Sequence, residues 1–169
     1  WDTQKTARDC LLGDPLKLHR DEITDCVELA NPRCIITCSM DRTIVFYDMN
    51  ARQRLNKIDA GKHEMGIRHL RIQSVKAPQM VSIGNELYAN VWTPESVSKR
   101  KDLVSDIWVG QLKGHKRRII DGHYLGKAPY FATIEETSTV FVWDIMNLTC
   151  IQTIALNFNM FPEGLVVLS

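Results

Sequence analysis

The stretch Asp41-Arg42-Thr43-Ile44-Val45-Phe46-Tyr47-Asp48 decides the reading of this chain, because its pattern returns downstream as Asn90-Val91-Trp92-Thr93 and as Thr139-Val140-Phe141-Val142-Trp143-Asp144. Trp1-Asp2 reads as the end of an earlier copy. The aromatic members Trp1, Tyr47, Trp92 and Trp143 stand 46, 45 and 51 residues apart. A period in that range means one supersecondary unit repeated along the chain. Histidines keep the same register: His19, His63 and His115 recur at intervals of 44 and 52, each 28 or 29 residues before its aromatic partner, with Gly114 preceding the last of them.

Within each unit the apolar residues fall in short runs separated by turn chemistry, the pattern of strands and not of helices. Four strands per unit fit. In the first unit, Ile23 and Cys26 are expected at inner-strand core positions, as are Ile67 and Leu70 at the same offsets past His63. Cys34 to Ser39 is a nearly all-apolar run, as expected of a strand covered on both faces. Asp41-Arg42 turns the chain into Thr43 to Asp48, whose β-branched and aromatic residues favour a packed, pleated strand. A more polar outer strand is expected over Arg52 to Ile58. The second unit predicts strands at Gly66 to Ile72, Gln79 to Ile83, Leu87 to Thr93 and Ile107 to Leu112. Strands at Arg118 to Tyr124, Tyr130 to Ile134, Thr139 to Trp143 and Thr149 to Ile154 make the third. Ile119 keeps the first core offset there, whereas Gly122 loses the second. The charged connection over 94–102 stretches the period and belongs on a surface loop.

This repeat resembles the WD-repeat β-propeller family, whose units begin near a Gly-His pair and whose third strand ends in Trp-Asp. The resemblance covers nearly the whole chain and implies an all-β fold, a partial β-propeller of four-stranded antiparallel blades of WD-repeat type. The expected divisions are the end of one blade over 1–18, blades over 19–60, 61–112 and 113–155, and the start of another over 156–169. Since such propellers close with about seven blades, this is about half a ring and reads as an excerpt of a longer protein.

The resemblance also implies a hydrogen-bonded tetrad in each blade, built from a histidine, a second-strand hydroxyl, a turn aspartate and a third-strand tryptophan. A satisfied buried network of that kind rigidifies its surroundings and fixes strand register. Matched residue by residue, the first unit offers His19, Thr37 or Ser39, Asp41 and Tyr47. The second offers His63, Ser82 and Trp92, with Asn85 or Glu86 at the acid. The third offers His115, Thr133 and Trp143, with Glu136 as a poor substitute. Residues that recur once per blade do not converge on one ion, so these histidines read as structural, and no metal or cofactor is expected. His69 and His123 are not periodic with them and read as half-exposed strand residues.

A formal net charge of +1 gives no global attraction to nucleic acid or anionic membrane, and no apolar run approaches the length of a membrane span. Five cysteines, an odd number without Cys-x-x-Cys spacing, argue against a zinc or disulfide framework and read as reduced, mostly buried thiols. No nucleophile-elbow, phosphate-loop or zinc-protease pattern occurs, so an enzyme is not expected. Two basic clusters stand out as partner-docking candidates, Lys99-Arg100-Lys101 in the inserted loop and Lys116-Arg117-Arg118 after the third histidine. Neither carries interleaved aromatics for base stacking. The resemblance therefore implies a non-enzymatic scaffold for other proteins. The runs His19 to Cys26 and Cys34 to Arg42 look most like the large WD-repeat proteins of cilia and flagella. They imply a cytoplasmic, axonemal setting and partners such as tubulin. A ubiquitin-ligase substrate receptor is the alternative.

Overall fold

A computed structural model of the chain describes residues 17–30, 33–59, 61–73, 78–94, 107–156 and 161–167. Twelve strands occur among them: β1 (Ile23–Leu29), β2 (Cys34–Ser39), β3 (Thr43–Asp48), β4 (Gln53–Asp59), β5 (Ile67–Gln73), β6 (Gln79–Gly84), β7 (Tyr88–Trp92), β8 (Trp108–Lys113), β9 (Ile119–Tyr124), β10 (Tyr130–Glu135), β11 (Thr139–Asp144) and β12 (Thr149–Ala155). They form three four-stranded sheets, β1 to β4, β5 to β8 and β9 to β12, each an antiparallel meander in chain order. The all-β architecture of four-stranded blades expected from the repeat is the one observed. Equivalent irregularities recur as well. A register shift interrupts the first pair of every sheet, between Ile23 and Asp25, between Ile67 and His69, and between Ile134 and Glu135.

The sheets stack face to face in chain order, and strand alternation assigns each side chain to one neighbour. Ile36, Cys38, Ile44 and Phe46 of the first sheet meet Ile67, Leu70, Met80 and Trp92 of the second in one buried layer. Val81, Ile83, Ala89 and Val91 leave the opposite face of the second sheet and meet Ile119, Phe131, Phe141 and Trp143 of the third. A smaller layer of Ala132, Ile134 and Val140 lies on the far face of the third sheet, joined by Leu156 and Leu165. The middle sheet, apolar on both faces, is the most deeply enclosed.

Several expectations need correction. Ile23 is 53% exposed and Cys26 is exposed too, whereas Ile67 and Leu70 at the same offsets are fully buried. Ile67 and Leu70 pack against the first sheet, while no described sheet stands before Ile23 and Cys26. Gly122 has a packing reason, since a Cβ there would lie 2.6 Å from Phe131 Cε1 and 2.9 Å from the Ala132 carbonyl. Phe131 fills the place an apolar inner-strand residue takes in the second sheet. Leu87, expected in a strand, sits exposed in the bend before β7. Of the described cysteines, Cys34 and Cys38 are buried and Cys26 and Cys150 are exposed, so only half fit the buried reading. Burial pushes the Cys34 and Cys38 thiols up to about 11 and about 12. Trp1-Asp2, Lys99, Arg100, Lys101 and most of the 94–102 insertion lie outside the described residues.

Candidate functional site

Each sheet carries one histidine just before its inner strand, and each histidine is anchored to the sheet it precedes. In the first, Nε2 of His19 lies 2.8 Å from Thr37 Oγ1 and Nδ1 lies 2.8 Å from Thr43 Oγ1 and 3.3 Å from Asp41 Oδ1. Thr43 donates its hydroxyl to Asp41 Oδ1 and so is left to accept from His19. That order places the imidazole proton on Nδ1 and leaves Nε2 to accept from Thr37. Burial lowers the pKa of His19, and nearby Asp41 offsets this only in part, so the ring is held neutral. Asp41 is itself partly desolvated, which opposes ionisation. Hydrogen bonds from Thr43, the Arg20 amide and His19 outweigh this and hold its carboxyl well below the usual range. Of the two hydroxyls offered by the sequence, Thr37 reaches the histidine; Ser39 instead donates to the Asp21 carbonyl. Among the described residues Tyr47 takes no part in this cluster, and Thr43 supplies the polar contact expected of it.

The second sheet holds the most complete set. Ser82 accepts from Trp92 Nε1 at 2.8 Å and lies 2.7 Å from His63 Nε2, while His63 Nδ1 is 3.2 Å from Glu86 Oε2. Glu86, and not Asn85, takes the acid position; Asn85 accepts from Arg68 instead. Burial opposes its ionisation, but bonds from His63 and the Met65 amide lower its pKa. Asn90, unforeseen in the sequence, extends the network by donating to the Lys62 carbonyl and accepting from Trp108 and Gln111. A serine, histidine and acid in line resemble a hydrolytic triad. Ser82 is nevertheless completely buried, with its hydroxyl occupied by an indole N–H, so no substrate carbonyl reaches it.

In the third sheet Thr133 lies 2.7 Å from His115 Nε2 and accepts from Trp143 Nε1 at 2.8 Å. Glu136 is not the acid here: it pairs outward with Arg118 at 2.9 Å. Its neighbour Glu135, buried at the end of β10, points inward and accepts from the Lys116 and Arg117 amides. The longer glutamate arm lets a residue two places earlier than the position of Asp41 reach the turn that Asp41 serves in the first sheet. His115 Nδ1 makes no well-formed hydrogen bond, only a weak approach to the Leu87 backbone, and the ring packs 4.6 Å from Phe141 and 5.0 Å from Trp143. Burial depresses its pKa to about 4 despite the opposing charge of Glu135.

A common consequence runs through all three sheets. The acid that faces the histidine also holds the main chain just beyond it, at Arg20 N, Met65 N, and Lys116 N with Arg117 N. The turn between the second and third strands is tied to the same end by Met40 N to the Glu22 carbonyl and by Glu136 N to the Arg118 carbonyl. One end of the stack therefore displays side chains from pinned turns: Arg20, Met65, Leu87, Lys116 and Arg117, all exposed. Arg118, half-buried, is partly neutralised by Glu136. Two clefts of about 360 and 260 Å³ open between neighbouring sheets there and share Arg68 and His69. Among the described residues no group of three or more His, Cys, Asp or Glu could hold a metal ion.

No protein-family model matches the sequence, and no curated protein matches it. Solved structures do. A structure of U3-55K superposes with a TM-score of 0.69 at 15% identity, over 81% of this chain and 40% of that one. A crystal structure of the RRP9 WD40 repeats gives a TM-score of 0.69 at 16% identity, over 81% of this chain and 39% of that one. The three sheets thus have the fold of WD40 propeller blades, and the chain spans about two fifths of the length of these structures.

Proposed function

We propose that this chain is part of a non-catalytic scaffold of WD-repeat type, which docks other proteins on the end of the sheets where the histidine turns lie. The observation that carries this reading is the pinning of each turn by its own buried acid, Asp41, Glu86 or Glu135. Rigid turns present Arg20, Met65, Lys116 and Arg117 at little ordering cost on association. Cations beside exposed apolar Met65 and Leu87 fit a protein surface that is acidic and partly apolar. The finer reading is a cytoplasmic scaffold of the ciliary axoneme with tubulin as a partner. Its support is the sequence likeness over His19 to Cys26 and Cys34 to Arg42, together with this cationic end.

Co-sedimentation with microtubules tests the finer reading, comparing the wild type with a Lys116→Glu, Arg117→Glu variant at low and physiological salt. Salt-sensitive binding that falls by about tenfold in the variant, with an unchanged melting temperature, is the expected result. Equal binding by both proteins removes these residues from the docking surface. Absence of binding by the wild type refutes tubulin as partner. A ubiquitin-ligase adaptor recovered on the full-length protein would then favour a substrate receptor.

A further inference from the structure

Six residues past each histidine, on the inner strand, stand Asp25, His69 and Asp121. They are equivalent in register, opposite Cys38, Ile83 and Ile134. The two aspartates behave alike. One carboxylate oxygen of Asp25 caps the next amide of its own strand, Cys26 N, at 2.8 Å, and the other accepts from Leu70 N of the following sheet at 3.0 Å. One oxygen of Asp121 caps Gly122 N at 2.7 Å, and the other accepts from Leu165 N at 3.2 Å. Leu165 thus stands to the third sheet as Leu70 stands to the first. Packing agrees: Leu70 lies in the layer against Ile36, Cys38 and Ile44, and Leu165 packs against the layer of Ala132, Ile134 and Val140.

We propose that these aspartates are directional latches between blades, each carboxylate docking the inner strand of the blade that follows, and that residues 161–167 are latched on Asp121 as the inner strand of a fourth blade. The middle blade has His69 at the latch position and offers no carboxylate to its successor. Arg71 supplies the missing tie. Its guanidinium spans both neighbours, with Nη1 2.7 Å from Asp25 and Nη2 2.7 Å from Asp121. The planar fork makes two charge-assisted bonds in opposite directions, which a lysine ammonium on one flexible stem does not reproduce. Three successive inner strands are thereby joined through one cation, and the same carboxylate that receives Arg71 holds the fourth segment.

Hydrogen exchange, resolved to single amides by NMR on the full 169-residue chain, tests the latch. The proposal expects Leu165 N–H to exchange at least about tenfold more slowly than in an unfolded chain. Asp121→Ala should abolish that protection while β10 and β11 stay protected. Asp25→Ala should accelerate Leu70 N–H and leave Leu165 unaffected. Should Asp121→Ala fail to fold, Leu165→Pro removes the amide donor, together with the leucine side chain, from a segment outside the three sheets, and must release Val166 and Val167 from any protection. An unprotected Leu165 in the wild type, or protection that survives both Asp121→Ala and Leu165→Pro, overturns the proposal.

Discussion

The first and third sheets solve one problem with different side chains. In the first, His19 has hydrogen-bond partners on both ring nitrogens, Thr37 on one and Thr43 with Asp41 on the other, and among the described residues no tryptophan hydrogen-bonds into its cluster. In the third, His115 has one good partner, Thr133, and two aromatic walls, Phe141 and Trp143. One site is held by polar saturation and the other by packing around a half-satisfied ring. The common requirement is a neutral imidazole that ties the turn to the second strand, and no single companion residue is indispensable to it.

The comparison breaks most sharply at the aromatic position. Trp143→Ala and Trp92→Ala should each lose about 3–5 kcal/mol, the usual range for deleting a large buried aromatic. Tyr47, half-buried and outside its histidine's network, should lose no more than about 2 kcal/mol on truncation. Urea unfolding midpoints check this, and a Tyr47→Ala loss equal to that of Trp143→Ala would make the first sheet a copy of the third after all.

Acid should separate the two sites next. His115 has a folded pKa of about 4 against an ordinary value of 6.5, so between these limits the unfolded chain binds more protons than the folded one. Its contribution to stability is complete above about pH 6.5 and is lost as the pH falls toward 4, in total on the order of 3 kcal/mol. His19 acts in the same direction. Asp41 and Glu86, both held low, withdraw their contributions only as the pH drops below the ordinary carboxylate range. Thermal melts of His115→Gln should show a flatter dependence between pH 6.5 and 4 than the wild type; parallel curves would mean that His115 is not held neutral by burial.

Thr43→Val should cost about 1–3 kcal/mol, because it strips a buried imidazole nitrogen and Asp41 of a shared partner, while Thr43→Ser should be nearly neutral. The smallest effect is expected at Arg52, which adopts a left-handed conformation at φ 52° in an exposed turn. Arg52→Gly should change stability by less than about 1 kcal/mol, since relief of left-handed strain is offset by greater freedom in the unfolded chain.

The sheet count, strand order and histidine positions were legible because the repeat writes them three times over. Strand ends moved by a residue or so where turn and strand chemistry overlap, as at Leu87. Acid placement was harder to read: Glu135 and Glu136 differ only in which face of the chain they leave, and the register shift between Ile134 and Glu135 decides it. Thr43 carries no repeat signal as a partner, because the tetrad pattern puts the fourth member at the end of the third strand, where Tyr47 stands, and not at its start. Arg71 with Asp25 and Asp121 was illegible for a different reason. Its contacts run between blades, and the middle blade has His69 at the position where its neighbours have aspartates, so no recurring residue marks it.

The central claim is that these histidines are buried structural ties and not exposed acids, bases or ligands. Titration of the imidazole resonances by NMR, with assignment of tautomers from ring nitrogen shifts, measures it directly. His19 is expected to titrate below the ordinary imidazole value with its neutral-form proton on Nδ1, and His115 to be still neutral at pH 5, taking up a proton near about 4 or on unfolding. Both rings titrating freely near 6.5, as exposed imidazoles do, would contradict it.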